Sequence, residues 1–301
     1  MFGLAHLRLS VPEGRLARIG CVDLYGQEPE VRLLSSFLSH LDHRSVIDVG
    51  AERGAFVDEL LRAGSEIVHA IDPEPGNAAF LRRHFSKDVR VTVHECAASN
   101  VDGELQLHTS VGSDGAPLTF GHTVLERPAT PEIAWDGVVT VPARSLASLV
   151  ETGEIPTRVG IVKVDTEGYD FAVVSGMGDL ECDIVMTEHW SDLPRSLGVC
   201  PWTAEEMLSE LRPRGFSHFA YIAHREEFVI LQWDDGEVPR GSMGNLVFLH
   251  ARVLERLLPA TLELASSLAK SAVVVGEMYA GAARERLAVI GELERSRLLG
   301  E

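Results

Sequence analysis

Apolar residues along this chain change their period several times, and each change marks an element. Val31, Leu34, Phe37, Leu38 and Leu41 recur at helical spacing and predict a helix over Glu30 to Leu41. Val46, Ile47 and Val49 follow as a dense run closed by Gly50, the mark of a parallel strand buried on both faces. The run Ile67 to Asp72 predicts a second strand, Asn77 to Phe85 a helix, Val89 to Val93 a third strand, and Glu104 to His108 a short one after the Asp102-Gly103 turn. The sheet is expected to resume with Val138 to Val141, followed by helix Arg144 to Glu151, strand Val159 to Val164, helix Tyr169 to Met177 and strand Asp183 to Thr187. Helix Ala204 to Leu211 and two β-rich runs, Ser217 to Ala223 and Glu227 to Trp233, read as an antiparallel finish. Strands alternating with helices predict an α/β fold around a mostly parallel sheet.

Two stretches break this rhythm. Thr109 to Asp136 is rich in Gly, Pro, Ser and Thr, long for a passive connection, and is read as a substrate lid or a surface insertion. Beyond His250, Leu264, Leu268, Ala272, Val275 and Tyr279 fall on one helical stripe after a break at Pro259. These changes divide the chain into a leading segment and helix (1–44), a central domain (45–250) and a C-terminal helical extension (251–301), which offers a seam for a homodimer.

With 301 residues and 45% hydrophobic content, the chain can bury a full core. Its net charge of -18 opposes nucleic acid and anionic membrane surfaces as partners, since both reward clustered Lys and Arg. Cys21, Cys96, Cys182 and Cys200 are scattered without a CxxC pair, and no secretory signal or transmembrane-length run is evident, so a reduced, cytoplasmic setting is expected.

The chemistry concentrates at two strand ends. VIDVGAERG (Val46 to Gly54) is a strand entering a tight glycine turn, and Asp72 ends the next strand where an acid can accept hydrogen bonds from ribose hydroxyls. The turn lacks GxGxxG and GK[ST], so a nucleoside cofactor without phosphates fits better than a dinucleotide or triphosphate. Asp48 can meet a cationic amino group or cap the turn. The second end, VGIVKVDTEGYD (Val159 to Asp170), brings Lys163, Asp165 and Glu167 towards the same crevice, and the next strand delivers Glu188 and His189.

Taken together, VIDVGAERGAF, AIDPEPGN, CAASNVDGELQL, IVKVDTEGYD, VMTEHW and GNLVFLH resemble the FkbM-like S-adenosylmethionine-dependent methyltransferases, in order and spacing, over roughly residues 40 to 250. The resemblance implies a Rossmann-like seven-stranded methyltransferase sheet with an antiparallel last strand, S-adenosyl-L-methionine as cofactor, and methyl transfer to a hydroxyl oxygen. It puts Asp48, Gly50, Ala51 and Gly54 around the methionine part, with Glu52 and Phe56 in the same motif. Asp72 goes to the ribose, Pro73 and Glu74 beside the adenosine, and Ala97 and Ala98 near the adenine. The family commonly has Asn where this chain has Glu52.

A sulfonium methyl is a strong electrophile, so alignment with the acceptor and exclusion of water dominate, while a sugar-like hydroxyl calls for a base or a metal. His189, with an ordinary pKa of roughly 6.5, is the candidate base, Asp165 the alternative and Glu188 its neighbour. Asp165, Glu167 and Glu188 also offer oxygen ligands to Mg²⁺, an optional second cofactor. His69, His94, His108 and His122 show no metal-binding spacing and read as core or surface residues. The expected activity is O-methylation of a saccharide or of a glycosylated or polyketide-like small molecule. A nucleoside-binding scaffold without activity and a nicotinamide-dependent oxidoreductase are the rivals.

Overall fold

The computed structural model describes residues 8–12, 29–127, 129, 133–190, 201–225, 228–234 and 243–257. The helical extension expected after His250 lies, beyond residue 257, outside the described residues, and so do residues 191–200.

Most of the predicted strand runs assemble into one large sheet, whose central strands, those carrying Val46 to Val49, Val159 to Val164 and Asp183 to Thr187, bury apolar side chains on both faces. Its parallel part comprises β2 (Ser45–Val49), β3 (Ile67–Ile71), β4 (Val91–His94), β8 (Arg158–Val164) and β9 (Glu181–Trp190). β12 (Met243–His250) runs antiparallel between β9 and β10 (Phe216–Arg225). The order β4-β3-β2-β8-β9-β12-β10 is the seven-stranded Rossmann-like sheet expected, with the last strand inserted in reverse. Two further antiparallel strands, β11 (Phe228–Asp234) and β1 (Arg8–Pro12), extend that edge, so the sheet holds nine strands among the described residues.

Helices cover both faces. α1 (Pro29–Leu38) and α2 (Ala55–Arg62) bury Leu33, Leu34, Phe37, Val57 and Leu60 against Val46, Ile161, Ile184 and Val247. On the other face α4 (Leu146–Glu151), α5 (Asp170–Ser175) and α6 (Ala204–Leu211) pack Leu149, Val173, Met207 and Leu211 onto Ile47, Val162, Val185 and Phe248. Capping fixes where these helices start: Ser145 accepts from the Ser148 N–H, and Thr203 forms a reciprocal box with Glu206.

One expectation needs correction. Val138 to Val141 does not rejoin the main sheet; it lies in β7 (Ile133–Ser145), which pairs with β6 (Gly103–Gly112) and β5 (Ala97–Ser99) in a separate three-stranded sheet. Val138 and Val139 are exposed, as an outer hairpin face allows and a central parallel strand does not. The two long strands also absorb both ends of the Thr109 to Asp136 stretch, leaving a shorter loop.

At the carboxyl end of β2 the backbone must pass very close to β8. Gly50 adopts φ +75°, and a Cβ there would lie 1.8 Å from the Asp165 carbonyl oxygen. Its N–H donates to the Ile71 carbonyl at 2.9 Å, so the turn is held from both neighbouring strands. Gly50→Ala is expected to cost about 2–4 kcal/mol, from the left-handed penalty plus overpacking against backbone. Urea denaturation checks this, and an unchanged midpoint would show that the turn can yield.

Candidate functional site

An ion pair between adjacent parallel strands forms the floor of the site. Asp48 on β2 and Lys163 on β8 are register partners, and their Oδ1 and Nζ lie 2.9 Å apart with Asp48 fully buried. Lys163 Nζ also donates to the Gly50 carbonyl at 2.9 Å and stands 3.5 Å from Asp165 Oδ2. Burial works against the ammonium, but the Asp48 and Asp165 carboxylates outweigh it and hold Lys163 above the ordinary lysine range. Asp48 therefore faces a lysine beneath the crevice rather than the crevice itself.

Above this floor opens a crevice of about 870 Å³ including its mouth, at the carboxyl ends of the strands. Gly50, Ala51, Glu52 and Phe56 line one side, Asp72 and Pro73 the next, and Ala97 and Ala98 contribute an apolar wall with Leu107 and Val124. Asp165, Thr166 and Glu167, which follow β8, complete the lining. Gly54 stands back from the lining as the first cap of α2, where a Cβ would strike Phe85. Glu74 is also set back, capping α3 (Pro75–His84) by accepting the Asn77 N–H at 2.6 Å.

Asp72 is nearly inaccessible yet reaches the crevice. Its Oδ2 accepts the Glu52 N–H at 2.8 Å, and its Oδ1 accepts the Glu74 N–H at 3.0 Å. Burial pushes its pKa up to about 7, against the opposing pull of those amides and the Asn77 side chain.

A lid built from the loop after β6 covers this end. The Thr119 hydroxyl donates to Glu52 Oε1, and Asn77 Nδ2 donates to the Thr119 carbonyl at 2.9 Å. The Trp135 indole N–H donates to the Gly121 carbonyl at 2.9 Å, anchoring the lid to β7. His122 lines the crevice with Nδ1 accepting the Ser110 N–H at 3.0 Å. Thr119 and His122 were not legible as site residues, because the segment that carries them has neither apolar period nor motif spacing.

Glu188 and His189 stand on β9, outside the crevice lining. The Glu188 N–H donates to Asp170 Oδ1 at 3.0 Å, while the Asp170 Oδ2 accepts the Thr166 hydroxyl at 2.8 Å. Burial and the Asp165 charge push Asp170 up to about 7. The His189 ring is buried against Trp202, with centroids 5.2 Å apart, and burial pushes it down to about 4. Among the described residues no group of three or more His, Cys, Asp or Glu side chains is disposed to hold a metal ion. Cys96 and Cys182 are buried thiols pushed up to about 11 and about 12, which leaves them poor nucleophiles.

Residues 48–217, more than half of the chain, match the methyltransferase FkbM domain. The chain belongs to the FkbM methyltransferase family. The hexuronic acid methyltransferase AglP of Haloferax volcanii is 24% identical over 209 residues, covering 69% of this chain and 77% of that protein. The Bacillus cereus O-methyltransferase solved in complex with SAH is similar at 10% identity and a TM-score of 0.39, covering 79% of this chain and 89% of the other. The N-methyltransferase NodS of Bradyrhizobium japonicum WM9 is similar at 10% identity and a TM-score of 0.40, covering 74% and 94%. Within the family match fall both chemically rich strand ends, the lid and the whole crevice lining.

The ion pair under the crevice can be weighed directly. Lys163→Met strands a fully buried carboxylate and is expected to cost about 3–5 kcal/mol. The double variant Lys163→Met, Asp48→Leu should recover much of that loss. Chemical denaturation of the four proteins in the cycle checks the coupling, and additive losses would mean the pair is not a unit.

Proposed function

We propose that this chain is an S-adenosylmethionine-dependent O-methyltransferase acting on a hydroxyl of a saccharide or of a glycosylated or polyketide-like small molecule. The observation that carries this reading is the pairing of Asp72 with the Ala97 and Ala98 wall in one crevice that Asp165 and Glu167 also line. A buried carboxylate beside an apolar slot suits a ribose joined to a flat base, and the acidic lining suits a sulfonium cation. The cofactor supplies an activated methyl group. Gly50 and Ala51 would lie along its methionine part, Asp72 on its ribose, and Ala97 and Ala98 against its adenine.

The protein's own contribution is alignment, exclusion of water by the lid, and handling of the acceptor proton. Carboxylates in the lining favour an uncharged acceptor over an anionic one, in keeping with a chain of net charge -18. The family match supports methyl transfer, and the relative named as a hexuronic acid methyltransferase supports a sugar as acceptor, but not the uncharged kind that the carboxylates favour. Among the described residues no helix is long and apolar enough to cross a membrane.

Saturating S-adenosylhomocysteine should raise the melting temperature, by mass action worth about 2.7 kcal/mol at a hundredfold excess over Kd. Asp72→Ala should weaken that ligand roughly tenfold or more, the worth of hydrogen bonds to a charged group; calorimetric titration reads both, and equal affinities would take Asp72 off the ribose.

The acceptor class is read from a separate screen. Neutral hexosides, amino sugars and hexuronic acids are incubated with labelled S-adenosylmethionine, and products are treated with alkali. A methyl ether survives alkali, as expected for a hydroxyl acceptor, whereas an alkali-labile methyl ester would move the reaction to a carboxylate.

A further inference from the structure

We propose that Glu167 is the general base of this site, taking the proton from the acceptor hydroxyl as methyl transfer proceeds; the inference rests on the hydroxyl-acceptor reading above. Glu167 follows β8 by three residues and lines the crevice. It holds φ +55°, a left-handed conformation unusual for a residue with a side chain and one that costs about 1–3 kcal/mol. That strain is held in place from the lid: the Thr123 hydroxyl donates to the Glu167 carbonyl at 3.3 Å, and Arg127 Nη1 lies 3.5 Å from Glu167 Oε2. The Arg127 side chain is 3% exposed, so this pair forms behind the crevice wall rather than in solvent.

The surroundings of this carboxylate differ from those of its neighbour. Asp165 sits beside the buried Lys163 ammonium and has a side chain 43% exposed, whereas the Glu167 side chain is 24% exposed. Burial and the charges of Asp165 and Asp170 push Glu167 up to about 7, and Arg127 pulls the other way. Lys163, Glu52, Asp72, His122 and Tyr169 are the other charged or titratable groups on the crevice wall. A base with a pKa near the working pH combines a usable basic fraction with real affinity for the proton. In the step itself the acceptor oxygen bonds to the methyl carbon while the carbon–sulfur bond breaks. The bonding pair stays on sulfur, giving S-adenosylhomocysteine, and the hydroxyl proton passes to Glu167 and then to water.

Two measurements on the full chain test this. Carboxyl ¹³C NMR of glutamate-labelled protein, with the Glu167 signal assigned by its loss in Glu167→Gln, should give a titration midpoint near 7. A midpoint in the ordinary carboxylate range overturns the proposal whatever the acceptor proves to be. The pH profile of kcat/KM with an acceptor from the screen should rise through the same region. Arg127→Gln should move that rise to higher pH, Asp165→Asn to lower pH, and Arg127→Lys should leave it in place. Glu167→Gln should lower kcat by roughly a hundredfold to ten-thousandfold and leave S-adenosylhomocysteine affinity within about twofold, which a merely structural role would not do. Retained kcat in Glu167→Gln, or a rise that no charge variant moves, overturns it. Failure of every saccharide in the screen counts against the acceptor class alone, with the NMR midpoint still deciding Glu167.

Discussion

The buried pair of Asp48 and Lys163 is the constraint on which the site depends. Two charges removed from water are costly unless their hydrogen bonds are met, and here the ammonium reaches one carboxylate, one backbone carbonyl and a second carboxylate at the rim. Those contacts join β2 to β8 at the level where both strands end. They also hold the Gly50 carbonyl, and with it the turn that lets the chain leave the sheet without obstructing the crevice. A pair of apolar residues would bind the strands as well, but would present neither a fixed carbonyl nor a charge-balanced floor.

That floor decides the electrostatics above it. Lys163 is largely compensated by Asp48, so Asp165, Glu167, Asp170 and Asp72 share little positive charge, and Arg127 is the cation beside Glu167. Three of those four carboxyls are pushed up to about 7, in each case by burial first. Such groups are poised between charged and neutral forms. A cationic ligand beside them favours the charged form, so binding a sulfonium and readying a carboxylate as a base would reinforce each other.

The sheet was largely legible because parallel strands buried on both faces write themselves as dense apolar runs, and Val46 to Val49 and Val159 to Val164 are of that kind. Gly50 and Asp72 were legible for a related reason: a strand end that must turn tightly or accept hydrogen bonds admits few residue types. Of the β6–β7 hairpin only the strands at Glu104 to His108 and Val138 to Val141 were legible, not their full length or their pairing. Its outer face is solvated, so its apolar pattern is diluted, and half of its length reads as loop composition. Thr119 and His122 reach the crevice through that hairpin, and no local spacing announces a contact made across the fold. His189 and Glu188 belong to a clear strand, but whether the end of a strand faces a crevice or other parts of the chain is set by packing, and Trp202 settles it for His189.

The same electrostatics bear on which kind of residue can act as a base here. Next to several carboxylates an imidazole tends to be held protonated, and a protonated ring accepts nothing; buried away from them, as His189 is, it loses basicity and access together. His122 does line the crevice, but Ser110 occupies its Nδ1, so the neutral ring carries its proton on Nε2 and can only donate from there. A carboxylate responds in the opposite sense. Each acidic neighbour raises its affinity for a proton, as burial also does, whereas burial pulls the His122 ring below the ordinary histidine range despite the charges of Glu74 and Glu52. Glu167 has two acidic neighbours and one arginine to keep it from remaining protonated, which is the balance a base in an acidic crevice requires.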